Sequence, residues 1–449
     1  MKKSHPLSAL FVAFAALAIL APLRADANAV RAADGFEAGA ARLEITPAVE
    51  TFTDANGNSR YDPGEPFGDL NGNGTWDPVW LAGYRGGRYA TGVESDLWAR
   101  AVALKTAEAA VLFVSLDLIG YMFDEANAAR DAIAAKTGLP RNHIFIASTH
   151  DHSGPDTIGV WGDNGACGKD PAYMSWLRNR IVDCAVQAWN AAQPAKIVFG
   201  SKRYPGPIDD PRPPRVINDA LLSFRAVDAG GNTIATVVNF ALHAEVMNEK
   251  NRLVTPDFPG VLRRELEARY GGVALFFAAD IGGMQTPKVM FHTFGKARRL
   301  GKAIARNVIE SQKGQEPVSI DRISVKTQPL LFPIQNPRFV GAIQKGMFGD
   351  TARHIQKTGD LHLLPTEAAL IELGPALIAT VPGEVFPELG HQIRGKMKSK
   401  YQFMFGLSNN EIGYILPKEQ WHWDWYEESM SLGPETGPML LDAFAKLLP

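Results

Sequence analysis

The sequence Ser148-Thr149-His150-Asp151-His152-Ser153-Gly154-Pro155 places two histidines directly after a short apolar run. That run, 143–147, has the length and composition of a buried strand bounded by polar residues. On an extended backbone, side-chain alternation would point His150 and His152 to the same side, and Gly154 with Pro155 would then end the strand. Both imidazoles are therefore expected at a strand end, where open α/β sheets bind ligands.

The chemistry of this octet has two interpretations. Neutral imidazole is the commonest metal ligand in proteins and also a general base near neutral pH. Two imidazoles with an aspartate between them therefore indicate a metal site with a proton-handling neighbour. The alternative is a surface turn that is rich in histidine, and a pattern this short does not decide between the two.

The composition is that of an ordinary globular protein. The chain has 449 residues, of which 46% are hydrophobic and 21% are charged, and its net charge is -2. This length is ample for a large buried core. There is no basic stripe and no long block of like charge, so a nucleic-acid partner is not expected.

The N-terminus has the pattern of a secretory signal peptide. Lys2 and Lys3 precede an apolar run from about Leu7 to Leu20, and the small-residue segment 25–29 follows. A basic start, a short apolar centre and an Ala-x-Ala exit predict cleavage, with 1–29 removed and the domain 30–449 periplasmic or secreted. A membrane anchor is the alternative, which the shortness of the run disfavours. No other stretch is long and apolar enough for a stable membrane span.

The chain contains two cysteines, Cys167 and Cys184. In an oxidising compartment they could form a disulfide, and their spacing leaves this open because pairing depends on the distance between their Cα atoms. Two thiols at this spacing do not make a cysteine zinc knuckle.

Two polar segments repeat the ligand spacing of an EF-hand-type calcium loop. In 54–65, oxygen-bearing side chains occupy positions 1, 3, 5, 9 and 12, namely Asp54, Asn56, Asn58, Asp62 and Glu65. The next segment repeats the first four with Asp69, Asn71, Asn73 and Asp77, but it has Trp80 at position 12. Solvated Asx-turns are the alternative. The repeat favours a calcium-loop-like insertion at 54–77, without flanking helices and with a structural role.

The rest of the chain alternates between strand and helix patterns. Strands are predicted at 42–47, 99–104, 111–118, 143–147, 196–200, 221–227, 233–242, 273–277, 319–325, 368–379 and 402–406. Helices are predicted at 124–136, 171–192, 259–269, 295–311 and 386–398. This order favours one α/β catalytic domain with mixed β-sheets flanked by helices.

Three more metal-competent groups follow apolar strands. His243 ends the run that begins at Thr236, Glu384 follows a Pro-Gly turn, and Tyr414 lies just beyond the strand near 403. Taken singly, each is more often structural. Two imidazoles and a carboxylate with an open coordination position are, however, the ligand set of catalytic zinc, which lowers the pKa of bound water and polarises a carbonyl group.

Thr149-His-Asp-His-Ser-Gly-Pro155 resembles the Thr-His-Thr-His-Ser-Gly-Pro signature of the neutral, non-lysosomal ceramidases. Further segments are similar to that family and occur in its order, from about residue 40 to 434. They are Leu43-Glu-Ile-Thr-Pro47, Trp80-Leu-Ala-Gly-Tyr84, Asn239-Phe-Ala-Leu-His243, Val381-Pro-Gly-Glu384 and Ser408-Asn-Asn-Glu-Ile-Gly-Tyr414.

This resemblance implies the N-terminal catalytic fold of the family and an amidase with a single zinc ion. The implied zinc ligands are His150, His243, Glu384 and Tyr414. The resemblance makes His152 a base or a substrate contact. It makes Tyr426, twelve residues after Tyr414, a donor to the oxyanion. A packed aromatic residue is the alternative for Tyr426, and the arginine of the family site corresponds to either Arg212 or Arg215.

The chain departs from the family at two points. Gln285 occupies the position of an essential serine in the segment 280–287, and Thr286 could replace that serine only if the turn shifts by one residue. Glutamine can hydrogen-bond a substrate but cannot act as a nucleophile. The family's C-terminal immunoglobulin-like domain is also expected to be missing.

The predicted function is therefore that of an exported, zinc-dependent hydrolase. We expect metal-activated water to cleave the amide bond of a small-molecule or lipid-like substrate, with Zn²⁺ catalytic and Ca²⁺ structural. The alternatives are an ester or lactone hydrolase with the same centre, and a non-catalytic metal-containing binding protein.

Overall fold

The computed structural model describes residues 35–348 and 354–448, so the predicted signal peptide lies outside the described residues. The strands are β1 (Glu37–Glu44), β2 (Gly92–Val93), β3 (Trp98–Lys105), β4 (Ala110–Leu116), β5 (Ile144–Ser148), β6 (Gln193–Pro194), β7 (Lys196–Arg203), β8 (Ile208–Asp209), β9 (Ala220–Val227), β10 (Thr233–Phe240), β11 (Leu253–Val254), β12 (Val273–Ala278), β13 (Thr286–Pro287), β14 (Ile323–Pro333), β15 (Gln356–Thr358), β16 (Leu361–Leu373), β17 (Ala376–Thr380), β18 (Glu384–Val385), β19 (Tyr401–Phe405) and β20 (Tyr414–Ile415). The helices are α1 (Phe123–Thr137), α2 (Pro171–Asn190), α3 (Asp257–Tyr270), α4 (Phe294–Gln312), α5 (Pro337–Gln344), α6 (Pro387–Lys396), α7 (Tyr426–Ser429) and α8 (Thr436–Leu447).

The longer strands form three sheets. The first has the strand order β5-β4-β3-β1-β6, and the second has the order β12-β10-β9-β7. The third has the order β14-β16-β17-β19, with β15 paired to β16. Each sheet is mixed, because β4–β5, β10–β12 and β17–β19 are parallel whereas their neighbours are antiparallel. The predicted α/β class with mixed sheets is confirmed.

A buried core rich in phenylalanine lies where the three sheets face one another. Phe113 comes from the first sheet, Phe277 from the second and Phe405 from the third. The rings of Phe277 and Phe405 stack with centroids 4.1 Å apart, and Phe113 meets Phe405 edge-on at 5.3 Å. The outer faces are covered by α1 and α2, by α3 and α4, and by α6 and α8, respectively.

Buried hydrogen bonds join the sheets across this core. The side-chain amide of Asn239 in β10 donates to the carbonyl oxygens of Phe277 and Met404, and its own oxygen accepts the N–H of Met404. The hydroxyl of Ser115 in β4 donates to the carbonyl of Phe276 in β12. Because buried polar groups must be paired, these bonds restrict how the sheets can shift against one another.

Both faces of the central strands are buried, which explains why they could be recognised in the sequence. In β4, Leu112 and Val114 pack towards α1 and α2, whereas Val111 and Phe113 pack into the central core. A strand buried on both sides appears in the sequence as a continuous apolar run. The predicted helices coincide with α1, α2, α3, α4 and α6 to within two residues at either end.

The single strand predicted at 368–379 is wrong. That segment contains the end of β16 and most of β17, which pair antiparallel across the Gly374-Pro375 turn, with Leu373 opposite Ala376. Likewise, β14 starts later than predicted and continues to Pro333, past Pro329. Proline is tolerated there because β14 is an edge strand, in which one side of the backbone needs no hydrogen-bond partner.

The disulfide that the sequence left open does not form. Both cysteines are free thiols, with Cys167 exposed and Cys184 buried. In the ranges 35–348 and 354–448, the chain has no helix with the length and apolar character that crossing a bilayer requires.

A buried ion pair joins the end of β4 to helix α3. The carboxylate of Asp117 accepts two hydrogen bonds of 2.6 Å from the guanidinium of Arg263, and both side chains are fully buried. Asp117 also accepts the backbone N–H of Trp98. The first sheet is thereby attached to the helical layer of the second.

We predict that Asp117→Ala lowers the free energy of unfolding by about 3–5 kcal/mol, because it leaves the Arg263 guanidinium buried without its counter-ion. Urea-induced unfolding measures this change. Asp183→Ala is the matched control, because it removes an aspartate from an exposed ion pair with Lys136. An equal loss of stability in the two variants would contradict the prediction.

Candidate metal centre and cavity

His150 and His243 lie on two loops that pair with each other beyond their strands. His150 follows the end of β5, and His243 follows the end of β10. Asp151 and Ala244 form a parallel bridge, and the N–H of His152 donates to the carbonyl of Ala244 at 3.2 Å. The first and second sheets therefore each bring one of these imidazoles to the same place.

Side-chain alternation along a strand is not what brings His150 and His152 together. The strand ends at Ser148, and His150 has a φ of 61°, in the left-handed region. This turn places the two rings 4.8 Å apart, edge to face. The chain therefore makes a turn where the sequence pattern predicted an extended backbone.

Glu384 and Tyr414 come from β18 and β20, two short strands that follow β17 and β19 along the chain and form a small sheet of their own. β18 and β20 pair in parallel, with Glu384 directly opposite Tyr414. Glu384 is buried, and its Oε2 lies 2.9 Å from Nε2 of His243 and 3.3 Å from Nε2 of His150. The Tyr414 hydroxyl donates to the Met284 sulfur at 3.3 Å.

The imidazoles are oriented as metal ligands are. Nδ1 of His150 lies 2.9 Å from the carbonyl of Ile119, and Nδ1 of His243 lies 3.1 Å from the carbonyl of Gln285. With protons on the two Nδ1 atoms, each Nε2 presents a lone pair to Glu384. Lone pairs that face one another need a proton or a metal cation between them. The nitrogen atoms with which His150, His152 and His243 could bind a metal ion lie within 4.8 Å of one another. These residues therefore fit a metal ion.

The charges of this cluster depend on one another. Burial would raise the pKa of Glu384, but His150 and His243 outweigh it and hold that pKa well below its usual range. For His243 the directions are reversed. Burial lowers its pKa, but the hydrogen bond with Glu384 and the charges of Glu245 and Glu384 raise that pKa overall. The cluster thus favours a carboxylate with a cation beside it.

His152 has a different environment from the other two histidines. Burial, together with His150 and His243 nearby, holds the pKa of His152 well below its usual value, so this imidazole is neutral near pH 7. Its Nδ1 lies 3.5 Å from Oε2 of Glu245. Gly83 covers the ring so closely that a Cβ atom there would lie 2.6 Å from Nδ1. A neutral imidazole keeps one unprotonated nitrogen, which a general base requires.

The cluster opens into a cavity of about 400 Å³. His150, His152, Glu384, Tyr414 and Tyr426 line one wall. Most of the remaining lining is apolar and comes from the segments 119–122, 158–161, 334–348 and 355–364. Such a mostly apolar cavity with a few polar groups at one end is typical of a binding site for a small molecule.

Tyr426 stands at the edge of this cavity and is more than half exposed. Its ring lies 6.0 Å from that of Tyr414. Arg212 holds the segment in place, because its guanidinium pairs with Glu427 and Glu428.

Several predicted site residues are not part of the cavity lining, among them His243, Arg215 and Gln285. Arg215 is exposed and pairs with Asp209 at 2.9 Å. Gln285 is buried, and its side chain donates to Val216 and accepts from the N–H of Asn218. Its contribution to the site is the backbone carbonyl that contacts His243. Thr286 lies in β13.

The two calcium-loop-like segments have matching hydrogen bonds. Asp54 accepts three backbone N–H groups of its loop, and Asp69 does the same in the second loop. The amides of Asn56 and Asn58 donate to Asp62. Those of Asn71 and Asn73 donate to Asp77 in the corresponding way. The side chains expected to bind calcium therefore converge in both loops.

Glu50 takes the place of the glutamate that the second loop lacks. In the first loop, Glu65 accepts the N–H groups of the second and ninth residues, Ala55 and Asp62. In the second loop, Glu50 accepts the N–H groups of the corresponding residues, Leu70 and Asp77. Both glutamates are buried. Glu50 could not be recognised from the loop spacing, because it precedes the loop instead of ending it.

Two acidic residues near the histidines were also missed. Glu245 lies two residues after His243, and Glu411 lies three residues before Tyr414. Each stands beside a predicted metal ligand, which was the available signal. An acidic residue next to a turn is common, however, and only the packing shows that these two are buried.

The chain was compared with known proteins. No family model matches it. The neutral ceramidase of Pseudomonas aeruginosa is 24% identical over 233 residues, which are 46% of this chain and only 34% of that enzyme. The aligned part thus spans about a third of the curated relative's length.

Two solved structures are similar over most of the chain. The crystal structure of neutral ceramidase from Pseudomonas aeruginosa has a TM-score of 0.71 and 17% identity, covering 92% of this chain and 74% of that one. A ceramidase complexed with C2 has the same TM-score and coverage, with 16% identity. Over nine-tenths of its length, the chain therefore has the fold of neutral ceramidase, as its motifs predicted.

Proposed function

We propose that the protein is a zinc-dependent hydrolase that cleaves an amide bond in a lipid-like substrate. The observation that carries this proposal is the convergence of two imidazole Nε2 atoms on one carboxylate oxygen, that of Glu384, which lines a mostly apolar cavity. The likeness to neutral ceramidase supports an amide as the bond that is cleaved.

His150, His243, Glu384 and Tyr414 would hold the zinc ion. Nitrogen and oxygen donors in a buried site suit zinc, and the carbonyls of Ile119 and Gln285 keep the two imidazoles in the required tautomer. A zinc ion bound there lowers the pKa of a coordinated water and polarises a carbonyl group.

The other side chains of the cavity wall handle protons and charge. Neutral His152 accepts the proton of the attacking water at Nε2 and then returns it to the leaving amine. Glu245 beside Nδ1 stabilises the imidazolium that forms between these steps. The phenol of Tyr426 donates to the carbonyl oxygen as that oxygen gains negative charge.

The apolar part of the cavity binds the acyl chain. Most of its walls come from four mostly apolar segments, and the lining residues with charged side chains are Arg338, Glu384 and Glu411. A hydrocarbon chain gains free energy from burial there, at about 25 cal/mol per Å² of apolar surface. The substrate is therefore held by its chain while its amide reaches the polar wall.

We expect the purified protein to hydrolyse N-acyl amides with long acyl chains, and His150→Ala to reduce kcat/KM at least about 100-fold, because a metal ligand is lost. Release of free amine measures turnover. His391→Ala, which removes an exposed histidine of α6, is the matched control and should retain activity. Full activity of His150→Ala would contradict the assignment of His150 as a metal ligand. Hydrolysis of matched esters but not of amides would show that the bond cleaved is an ester.

The metal itself is tested by elemental analysis. We expect about one zinc ion per chain in the wild-type protein and in His391→Ala, and almost none in His243→Ala. Thermal unfolding establishes that each variant is folded. A full zinc content in His243→Ala would show that the ion is bound elsewhere.

We also propose that the two polar loops each bind a structural calcium ion. Hard oxygen donors at the EF-hand spacing suit calcium, and Glu50 supplies the second loop with the carboxylate that Glu65 supplies to the first. An aromatic cluster between the loops, which includes Phe52, Tyr61 and Trp76, would be held in position by both ions.

For this proposal we expect calorimetric titration to give two calcium ions per chain, and one in Glu50→Gln. Calcium should raise the melting temperature of the wild type by mass action, and by less in Glu50→Gln. Glu316→Gln, which removes an exposed glutamate elsewhere, is the control and should bind both ions. A melting temperature that calcium leaves unchanged would rule out a structural role.

A further inference from the structure

Arg338 brings a positive charge to the edge of the apolar cavity. This residue lines the cavity and is exposed to solvent. Its guanidinium forms no hydrogen bond or ion pair with the residues that the structure describes, and only its backbone N–H is bonded, to the side chain of Asn336. Because the arginine side chain is a permanent cation, this edge of the cavity carries a charge without a counter-ion among the described residues. The reaction described above does not use this charge.

The helix α5 turns one face towards the cavity, and Arg338 lies on that face. Ala342 stands one helical turn after Arg338 and also lines the cavity, as do Phe339 and Ile343. Residues three and four positions apart are neighbours on a helix surface. Arg338 is therefore the charged member of a cavity wall that is otherwise apolar.

The start of α5 is attached to the segment that carries Tyr426. The side-chain amide of Asn336, which caps α5, donates to three backbone carbonyls of the segment 428–431. Tyr426 and Ser429 line the cavity together with Arg338. These bonds hold Arg338 on the side of the cavity where the polar wall is.

The acidic residues of the attached segment are already paired. Glu427 and Glu428 are buried, and both form ion pairs with the guanidinium of Arg212. Their carboxylates therefore neutralise a different cation. A counter-ion for Arg338 must come from the solution or from a molecule bound in the cavity.

Arg338 and Tyr426 are at the mouth of the cavity. Both are exposed, whereas lining residues such as Ile119, Ile158 and Leu364 are buried. An acyl chain packed against the buried residues, with its amide beside Tyr426, directs the amine portion of the substrate towards the mouth. The amine portion is thus the part of the substrate that meets Arg338.

We propose that Arg338 is a specificity residue that binds an anionic group, in the form of a carboxylate, on the amine portion of the substrate. A guanidinium binds a carboxylate through two parallel hydrogen bonds, which fix both position and orientation. The inference rests on the proposed amide hydrolysis and narrows its substrate class to N-acyl amides with a negatively charged amine portion, such as N-acyl amino acids.

Three substrates that differ in charge test this inference. They are the N-dodecanoyl amides of glycine, glycinamide and ethylenediamine, which place a carboxylate, a neutral amide or an ammonium at comparable positions. Release of dodecanoate, which is common to all three, measures turnover. We expect the wild-type protein to favour the glycine compound over the glycinamide compound by at least about fivefold in kcat/KM, because only the former makes charge-assisted hydrogen bonds. The ethylenediamine compound should be the poorest of the three.

Variants of Arg338 show whether this residue is the source of the preference. We expect the ratio between the glycine and glycinamide compounds to fall to within about twofold in Arg338→Gln. Arg338→Lys keeps the charge without the bidentate geometry and should retain part of the ratio. Arg306→Gln, which removes an exposed arginine of α4, is the matched control and should retain the full ratio.

The salt dependence separates charge from shape. Since the mouth is exposed, salt screens an ion pair there, and the wild-type ratio should decrease as the salt concentration rises from about 0.05 M to about 0.5 M. A ratio that salt leaves unchanged would arise from the shape of the substrate and would overturn the inference.

The remaining outcomes distinguish this inference from the proposed function. If the wild type hydrolyses all three amides equally, or if Arg338→Gln keeps the full ratio, the inference is overturned and the amidase stands. If the wild type hydrolyses none of the three, the proposed function fails and the inference fails with it. A salt-sensitive preference that Arg338→Gln loses and Arg306→Gln keeps supports both.

Discussion

One carboxylate oxygen connects the three sheets at the candidate site. Oε2 of Glu384, in β18 just beyond strand β17 of the third sheet, lies within 3.3 Å of imidazoles from the ends of the first and second sheets. Each imidazole presents Nε2 as an acceptor when its Nδ1–H donates to a backbone carbonyl, and the carboxylate oxygen is an acceptor as well. The interaction is therefore favourable only when a proton or a metal cation lies among them, so the geometry that holds the sheets together also fits a metal ion.

This geometry depends on packing far from the histidines. The stacked rings of Phe277 and Phe405, with Phe113 against them, set the relative positions of the sheets in their middle. The amide of Asn239 and the ion pair between Asp117 and Arg263 then restrict sliding and rotation. Since protein cores are close-packed, a displacement at any of these contacts is transmitted to the strand ends.

The candidate site is richer in carboxylates than a single metal ion requires. Glu384 contacts two imidazoles, Glu245 lies beside His152, and Glu411 keeps one oxygen unpaired. Buried carboxylates are unfavourable without partners, and perturbed groups of this kind concentrate at functional sites.

The sequence alone was sufficient for the class of fold, and it singled out His150, His243 and Glu384, which the structure brings together. Strands buried on both faces appear as apolar runs, helices as amphipathic segments with recognisable ends, and His150, His243, Glu384 and Tyr414 follow such strands in motifs that resemble one family. The strand boundaries near Gly374-Pro375 and Pro329 were predicted wrongly. They depend on which strands pair and which strand lies at a sheet edge.

Only the tertiary structure decided how the site is completed. The left-handed turn at His150, the carbonyls that orient the imidazoles, and the buried oxygens of Glu245 and Glu411 come from contacts between residues distant in sequence. The role of Glu50 also depends on tertiary structure, because this residue accepts an N–H group of a loop that begins nineteen residues later. Local patterns report the backbone a residue prefers, whereas burial and hydrogen bonding depend on what the rest of the chain places beside it.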